Sequence, residues 1–139
     1  MSEELLNRKR MEFQMLMQQV SAIQSQLEAI SNQVLELNML VDSLDEIEKT
    51  EKGTEILVPL GAGIFTEANI SNPKEVIMNV GSKVTVPKTT AEAKETVITQ
   101  IKELEKIIIH LENEFTSDNM KAQRLQEELQ SLMEAKKEK

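Results

Sequence analysis

Hydrophobic and polar positions divide the chain into three stretches with different periods. From Leu6 the apolar side chains step by alternating threes and fours through Phe13, Leu16, Val20, Ile23, Leu27, Ile30, Val34, Leu37, Val41 and Leu44. With Phe13 at position a, this is an a/d heptad seam broken only by Lys9 at a d site. A narrow seam with a 3.5-residue period keeps facing one partner, so it specifies a left-handed coiled coil. Roughly 48 residues at a 1.5 Å rise predict a rod of about 70 Å. Gly53 is the expected stop signal.

A second heptad seam follows Pro87. It runs through Val97, Ile101, Leu104, Ile108, Leu111, Phe115, Ala122, Leu125, Leu129 and Leu132, with Lys94 at an early a site and Asp118 at a d site. Thr89 or Thr90 is the expected cap, and Glu92 falls in the first turn. Two rods of nearly equal length joined by a short insert pair only by running antiparallel. Partners then carry numbers summing to roughly 140, and both termini meet at one tip. The segment Phe115–Asn119 groups poor helix formers around Asp118. An unpartnered carboxylate in an apolar seam is costly, so local splaying is expected there, against the alternative of a hidden hydrogen-bond partner.

Between the seams the period falls to two, the signature of strands. Ile56, Val58 and Leu60 alternate with Leu57 and Pro59; Ile64, Thr66, Ala68 and Ile70 alternate with Phe65, Glu67 and Asn69. Val76, Met78 and Val80 give a third strand, and Val84 and Val86 a fourth. Every glycine and proline of the chain lies in this stretch, with Gly61-Ala62-Gly63 and Gly81-Ser82 as turns and Asn72-Pro73 between the hairpins. The reading is therefore α+β: residues 1–52 a first coiled-coil helix, 53–88 two β-hairpins, 89–139 a second coiled-coil helix. Two hairpins alone are marginal in water and present open edges. Pairing with the same insert of other subunits, closing a shared β-barrel, is the simplest remedy. The assembly candidates are Ile56, Val58, Leu60, Ile64, Phe65, Val76, Met78, Val80, Val84 and Val86.

Composition supports extended helices over a compact globule. Only 2% of residues are aromatic and 29% are charged. The formal net charge of −8 opposes a phosphate-backbone partner, because nucleic-acid binding needs a basic patch. Absence of cysteine excludes disulfide frameworks and thiolate metal sites. No run reaches membrane-spanning length and the N-terminus has no apolar signal core, so a cytoplasmic chain with no membrane partner is expected. Gly61-Ala62-Gly63 lacks the remaining features of a phosphate loop, and the Asn69-Ile70-Ser71 sequon is read as coincidence. His110 sits at an outward c position. No catalytic residue, metal or cofactor is expected.

Some apolar residues near the tips lie off the seam: Leu5 (g), Met11 (f), Met15 (c), Met17 (e), Met120 (f) and Met133 (e). Polar residues normally fill such sites. Flexible, polarizable methionine suits promiscuous binding, although it is also a good helix former that a surface tolerates. With the seam residues Leu6, Phe13, Leu16, Leu129 and Leu132, which fraying would expose, Leu5, Met11, Met15 and Met133 are the candidate binding residues. The closing Lys136-Lys137-Glu138-Lys139 is read as a solvated tail, with a weak dock for an acidic partner as the sharper option.

The segment LVPLGAG (Leu57–Gly63), then Phe65, then EVIMNVGSKV (Glu75–Val84), flanked by two heptad helices, resembles archaeal prefoldin of the alpha class. Two hairpins favour that class over the beta class. The resemblance implies a hexamer of two alpha and four beta subunits, with hairpins forming a double barrel and six coiled coils hanging from it. It implies ATP-independent binding of unfolded proteins and their transfer to a group II chaperonin. A self-assembling coiled-coil scaffold or filament is the rival reading. An RNA-gripping helical arm is a third, opposed by the charge.

Overall fold

The structure, a computed structural model, describes residues 2–137 and has six elements. In chain order they are α1 (Ser2–Lys49), β1 (Glu55–Gly61), β2 (Ile64–Asn69), β3 (Glu75–Gly81), β4 (Val84–Thr89) and α2 (Thr90–Lys137). Two long helices with two antiparallel hairpins between them are what the periodicities predict. Of the expected solvated tail, Glu138 and Lys139 lie outside the described residues. The chain divides into two compact units, Met1–Gln33 with Leu104–Lys139 and Val34–Glu103.

In the Val34–Glu103 unit, Leu44, Ala93, Val97 and Ile101 form the buried core, with Val34, Leu37, Val41, Val76 and Met78 packed against it. All but Ala93 and the two strand residues are seam positions, so the heptad code builds this core. Burying a Val, Leu or Ile side chain contributes about 1.5–3 kcal/mol. Lys94, the charged a-site residue, lies at the edge of the core and pairs with Asp45 and, at 3.5 Å, with Glu48. Its aliphatic stem serves the seam while its ammonium reaches acid on α1.

Seam polarity in the other unit is resolved the same way. Lys9 pairs with Glu128, and Lys136 lies 3.0 Å from Glu3. The residue numbers of these pairs, like those of Asp45 and Lys94, sum to about 140, the antiparallel register. Leu6, Val20 and Ile23 on α1 and Leu111 and Ala122 on α2 are buried. The helix runs unbroken through Phe115–Asn119. Asp118 is half-buried and lines an open groove with Gln19, Ala22, Ile23, Gln26 and Ser117. No buried polar side-chain atom among the described residues lacks a partner. The open groove, bordered by the small side chains of Ala22 and Ser117, gives the carboxylate access to solvent.

Both helix ends facing the hairpins are sealed by named hydrogen bonds. The Glu92 amide donates to Thr89 Oγ1 at 3.0 Å, a Thr-x-x-Glu N-cap. Thr90, fully buried, acts differently: its hydroxyl donates to the Pro73 carbonyl at 2.8 Å and its amide to the Lys74 carbonyl at 2.9 Å. Lys74 Nζ donates to the Glu48 carbonyl at 3.3 Å, complementing the C-terminal dipole of α1. α1 stops at Lys49, before Gly53, because Thr50 folds back to donate its amide and hydroxyl to the Ile47 carbonyl. Gly53, at φ +90°, instead turns the chain so that its amide donates to the Ile70 carbonyl. That left-handed conformation favours glycine.

Each hairpin closes through a two-residue loop, Ala62-Gly63 or Ser82-Lys83, with all four φ values positive, as a type I′ turn requires. The second turn is therefore carried by Ser82 and Lys83, which lies outside β4. Gly81 belongs to the bulge before it. Bulges between Pro59 and Gly61 and between Asn79 and Gly81 interrupt the simple alternation at Leu60 and Val80. The two hairpins are separate two-stranded sheets, β1–β2 and β3–β4.

Candidate functional site

The Met1–Gln33 and Leu104–Lys139 unit sorts the expected binding residues into two groups. Leu6 is buried, and Phe13, Leu16, Leu129 and Leu132 are half-buried in the seam. Leu5, Met11, Met15 and Met133 are exposed, Met11 by 65% and Met15 by 60%. Met17 and Met120 are exposed as well. Leu5 and Leu132 share an open groove with Lys9, Arg124 and Glu128, and Leu129 and Met133 share another with Gln126 and Glu134. Met11 and Met15 line neither; spaced by four residues, they form an apolar stripe on the outward face of α1.

Charge thins out along α1 beyond Met11. α1 contains no Lys or Arg between Arg10 and Lys49, and from Phe13 to Leu35 its only charged residue is Glu28. Gln14, Gln18 and Gln19 lie beside the methionines on that side, with Arg8 and Glu12 a turn before Met11 and Met15. Glu3 is held below the ordinary carboxylate value by its hydrogen bond to Lys136 and that ammonium's charge. In the other unit the hydrogen bond with Lys94 holds Asp45 below its ordinary value, and the same bond raises Lys94. These pairs tie one helix to the other and offer nothing to a ligand. His110 is exposed and contacts Glu114 at 3.1 Å on its own helix. Among the described residues no group of His, Asp and Glu is placed to hold a metal ion.

Within the Val34–Glu103 unit the hairpins expose far more apolar surface than the helices. Leu60, Ile64 and Phe65 on the first hairpin, and Val80 and Val84 on the second, are exposed, with Ile56 at the margin and Val58 and Val86 half-buried. Val76 and Met78 are half-buried because the chain's own core covers them. The pairing they lend to the second hairpin is internal. Two strand side chains that sequence reasoning did not select are as exposed as any it did: Ile77 at 74% and Leu57 at 66%, beside Leu60 at 67%. Ile77 sits on the face opposite Val76, Met78 and Val86, whereas Leu57 shares its face with Phe65 and lies opposite Ile56 and Val58. Strict alternation does not flag them, since the faces they occupy also carry Glu55, Glu67, Glu75 and Asn79. Also missed were Leu35, Met39, Leu40 and Ile98 in this unit, and Ile107 and Ile109 in the other. All six are off the seam, so the register test that singled out Met11 would have found them.

These geometries agree with comparisons against known proteins. The family model described as "Prefoldin subunit" matches residues 16–135. The chain belongs to the prefoldin family. Prefoldin subunit alpha of Methanobrevibacter smithii is 38% identical over 88 residues, covering 63% of this chain and 60% of that one. Prefoldin subunit alpha 2 of Thermococcus kodakarensis is 36% identical, covering 66% and 65%. These matches span under two thirds of those relatives. Prefoldin subunit alpha of Methanococcus vannielii, at 31% identity over 128 residues, is covered over 85% of its length. Two hairpins and these relatives place the chain in the archaeal alpha class. Among solved structures, a chain of the filamentous prefoldin from Methanocaldococcus jannaschii superposes with a TM-score of 0.73 over 88% of this chain and 98% of that one. At 19% identity that likeness establishes the fold of this prefoldin chain. No helix among its described residues is long and apolar enough to cross a membrane.

Proposed function

We propose that this chain is a subunit of a cytoplasmic, ATP-independent holdase that captures unfolded proteins on the tips of its helix pair and delivers them to a group II chaperonin. Its partners in this reading are prefoldin beta subunits, in a hexamer of two alpha and four beta, joined through residues 53–88. The observation that carries it is the exposed methionine stripe of Met11 and Met15, together with the apolar Leu5–Leu132 groove of the same unit. Thioether side chains repack around unlike partners, so such a surface grips without sequence selectivity. Several arms acting together would give avidity from weak contacts. Leu57, Leu60, Ile64, Phe65 and Ile77 are strongly exposed apolar side chains of the hairpins, and assembly would cover them.

The test is suppression of aggregation of a chemically denatured protein by the assembled complex. Met11→Ser with Met15→Ser, both off the seam, should weaken capture about tenfold, a loss of roughly 1.4 kcal/mol, while leaving the helix content unchanged. Undiminished capture by that variant would overturn the tip assignment. A homo-oligomeric filament is the second reading, prompted by the fold shared with a filamentous prefoldin. Native mass of the chain alone and after mixing with a beta subunit separates the two: a closed hexamer only on mixing supports the first, and open-ended growth alone the second.

A further inference from the structure

The chain has no Cys, Trp or Tyr, so its thioethers are the side chains most readily attacked by peroxide. Their placement is not random. Met11, Met15, Met17, Met39, Met120 and Met133 are the methionines of the two helices among the described residues, and every one is exposed and off the seam. The a and d positions use Leu, Ile, Val, Phe and Ala instead. Methionine would fill a seam as well as leucine by volume, yet none is used there. Met78, on β3, is half-buried against the Leu44–Ile101 core.

We propose that Met11, Met15 and Met17 form a peroxide-sensitive modification site, at which conversion to the sulfoxide turns off capture while the helix pair stays folded. This rests on the tip-capture reading given above. The thioether lone pair attacks one peroxide oxygen: the O–O bond breaks, an S–O bond forms, and the leaving hydroxide takes up the proton to give water. Sulfur loses two electrons and the peroxide gains them. The product is a polar, chiral side chain where an apolar one stood, and thiol-dependent sulfoxide reduction reverses it. Because no a or d position carries sulfur, the seam's packing is untouched by the reaction.

The experiment treats the assembled protein with hydrogen peroxide, maps sulfoxides by peptide mass spectrometry, and measures aggregation suppression and the thermal melt. Sulfoxide should appear at Met11, Met15 and Met17 before Met78. Capture should fall about tenfold (on the order of 1.4 kcal/mol) with the melt unchanged. A Met11→Leu, Met15→Leu, Met17→Leu variant should capture client before treatment and keep that capacity after it. Met39→Leu, away from the tip in sequence, should protect nothing. Full capture with the three sulfoxides mapped, or equal loss in the triple leucine variant, overturns the proposal alone. Untreated protein that captures no client overturns the capture reading and the switch with it.

Discussion

The helix pair and the hairpins put similar proportions of apolar sequence to opposite ends. Along the helices almost every seam side chain finds cover within the chain, and the two charged intruders that face acid, Lys9 and Lys94, find partners. On the hairpins the reverse holds: apolar side chains project from both faces of two-stranded ribbons, and only Val76 and Met78 are taken up by the chain's own core. A seam that satisfies itself sets a shape. A ribbon that does not sets a valence, because its uncovered faces and edges demand another polypeptide.

The sharpest way to break the contrast is to damage each side separately. Ile101→Asp places an unpaired carboxylate in the buried core and should destabilise the chain by about 3 kcal/mol or more, read as the urea midpoint. Leu57→Ser with Ile77→Ser should do the opposite: the subunit keeps its helical circular dichroism, but association weakens by roughly 3 kcal/mol, seen as dissociation in sedimentation. Thr89→Ala removes the N-cap of α2 and should cost about 1 kcal/mol without altering assembly. Lys83→Gly relieves a side chain held at φ +63° and should raise stability by about 0.5 kcal/mol in the same titration.

The smallest effect is electrostatic and has a definite sign. Asp45, with its folded value lowered, contributes above its ordinary 3.8, and that contribution fades as pH falls through the depressed value. Lys94, with its folded value raised, contributes below its ordinary 10.5, and that fades as pH rises through the elevated value. The stability difference between the natural chain and Asp45→Asn should therefore be flat between those limits and shrink at both ends. A difference that vanished near neutrality would show the pair to be ornamental.

Helices, hairpins and antiparallel pairing were legible because each depends on local spacing, and the near-equal lengths of the two seams predict, to within one helical turn, the level at which Lys9 meets Glu128. Legibility failed where an outcome depended on choosing among neighbours. Thr89 and Thr90 are chemically alike, and only the nearby Pro73 carbonyl decides which one caps and which one clamps. Asp118 borders an open groove lined also by Gln19, Ala22, Ile23 and Gln26 of α1, so its surroundings are a property of the partner helix as much as of its own segment. The candidate binding surface was half visible: off-seam position identified Met11 and Met15, whereas Leu57 and Ile77 were hidden by the habit of assigning a strand one apolar face.

The stretch of α1 without Lys or Arg from Met11 to Glu48 has a practical corollary for proteolytic mapping. Trypsin finds no cleavage site between Arg10 and Lys49, so the whole span leaves the digest as one fragment carrying Met11, Met15, Met17 and Met39. Its mass ladder counts the oxygens gained by that helix in a single spectrum, and fragment ions tell tip sulfurs from the one farther along.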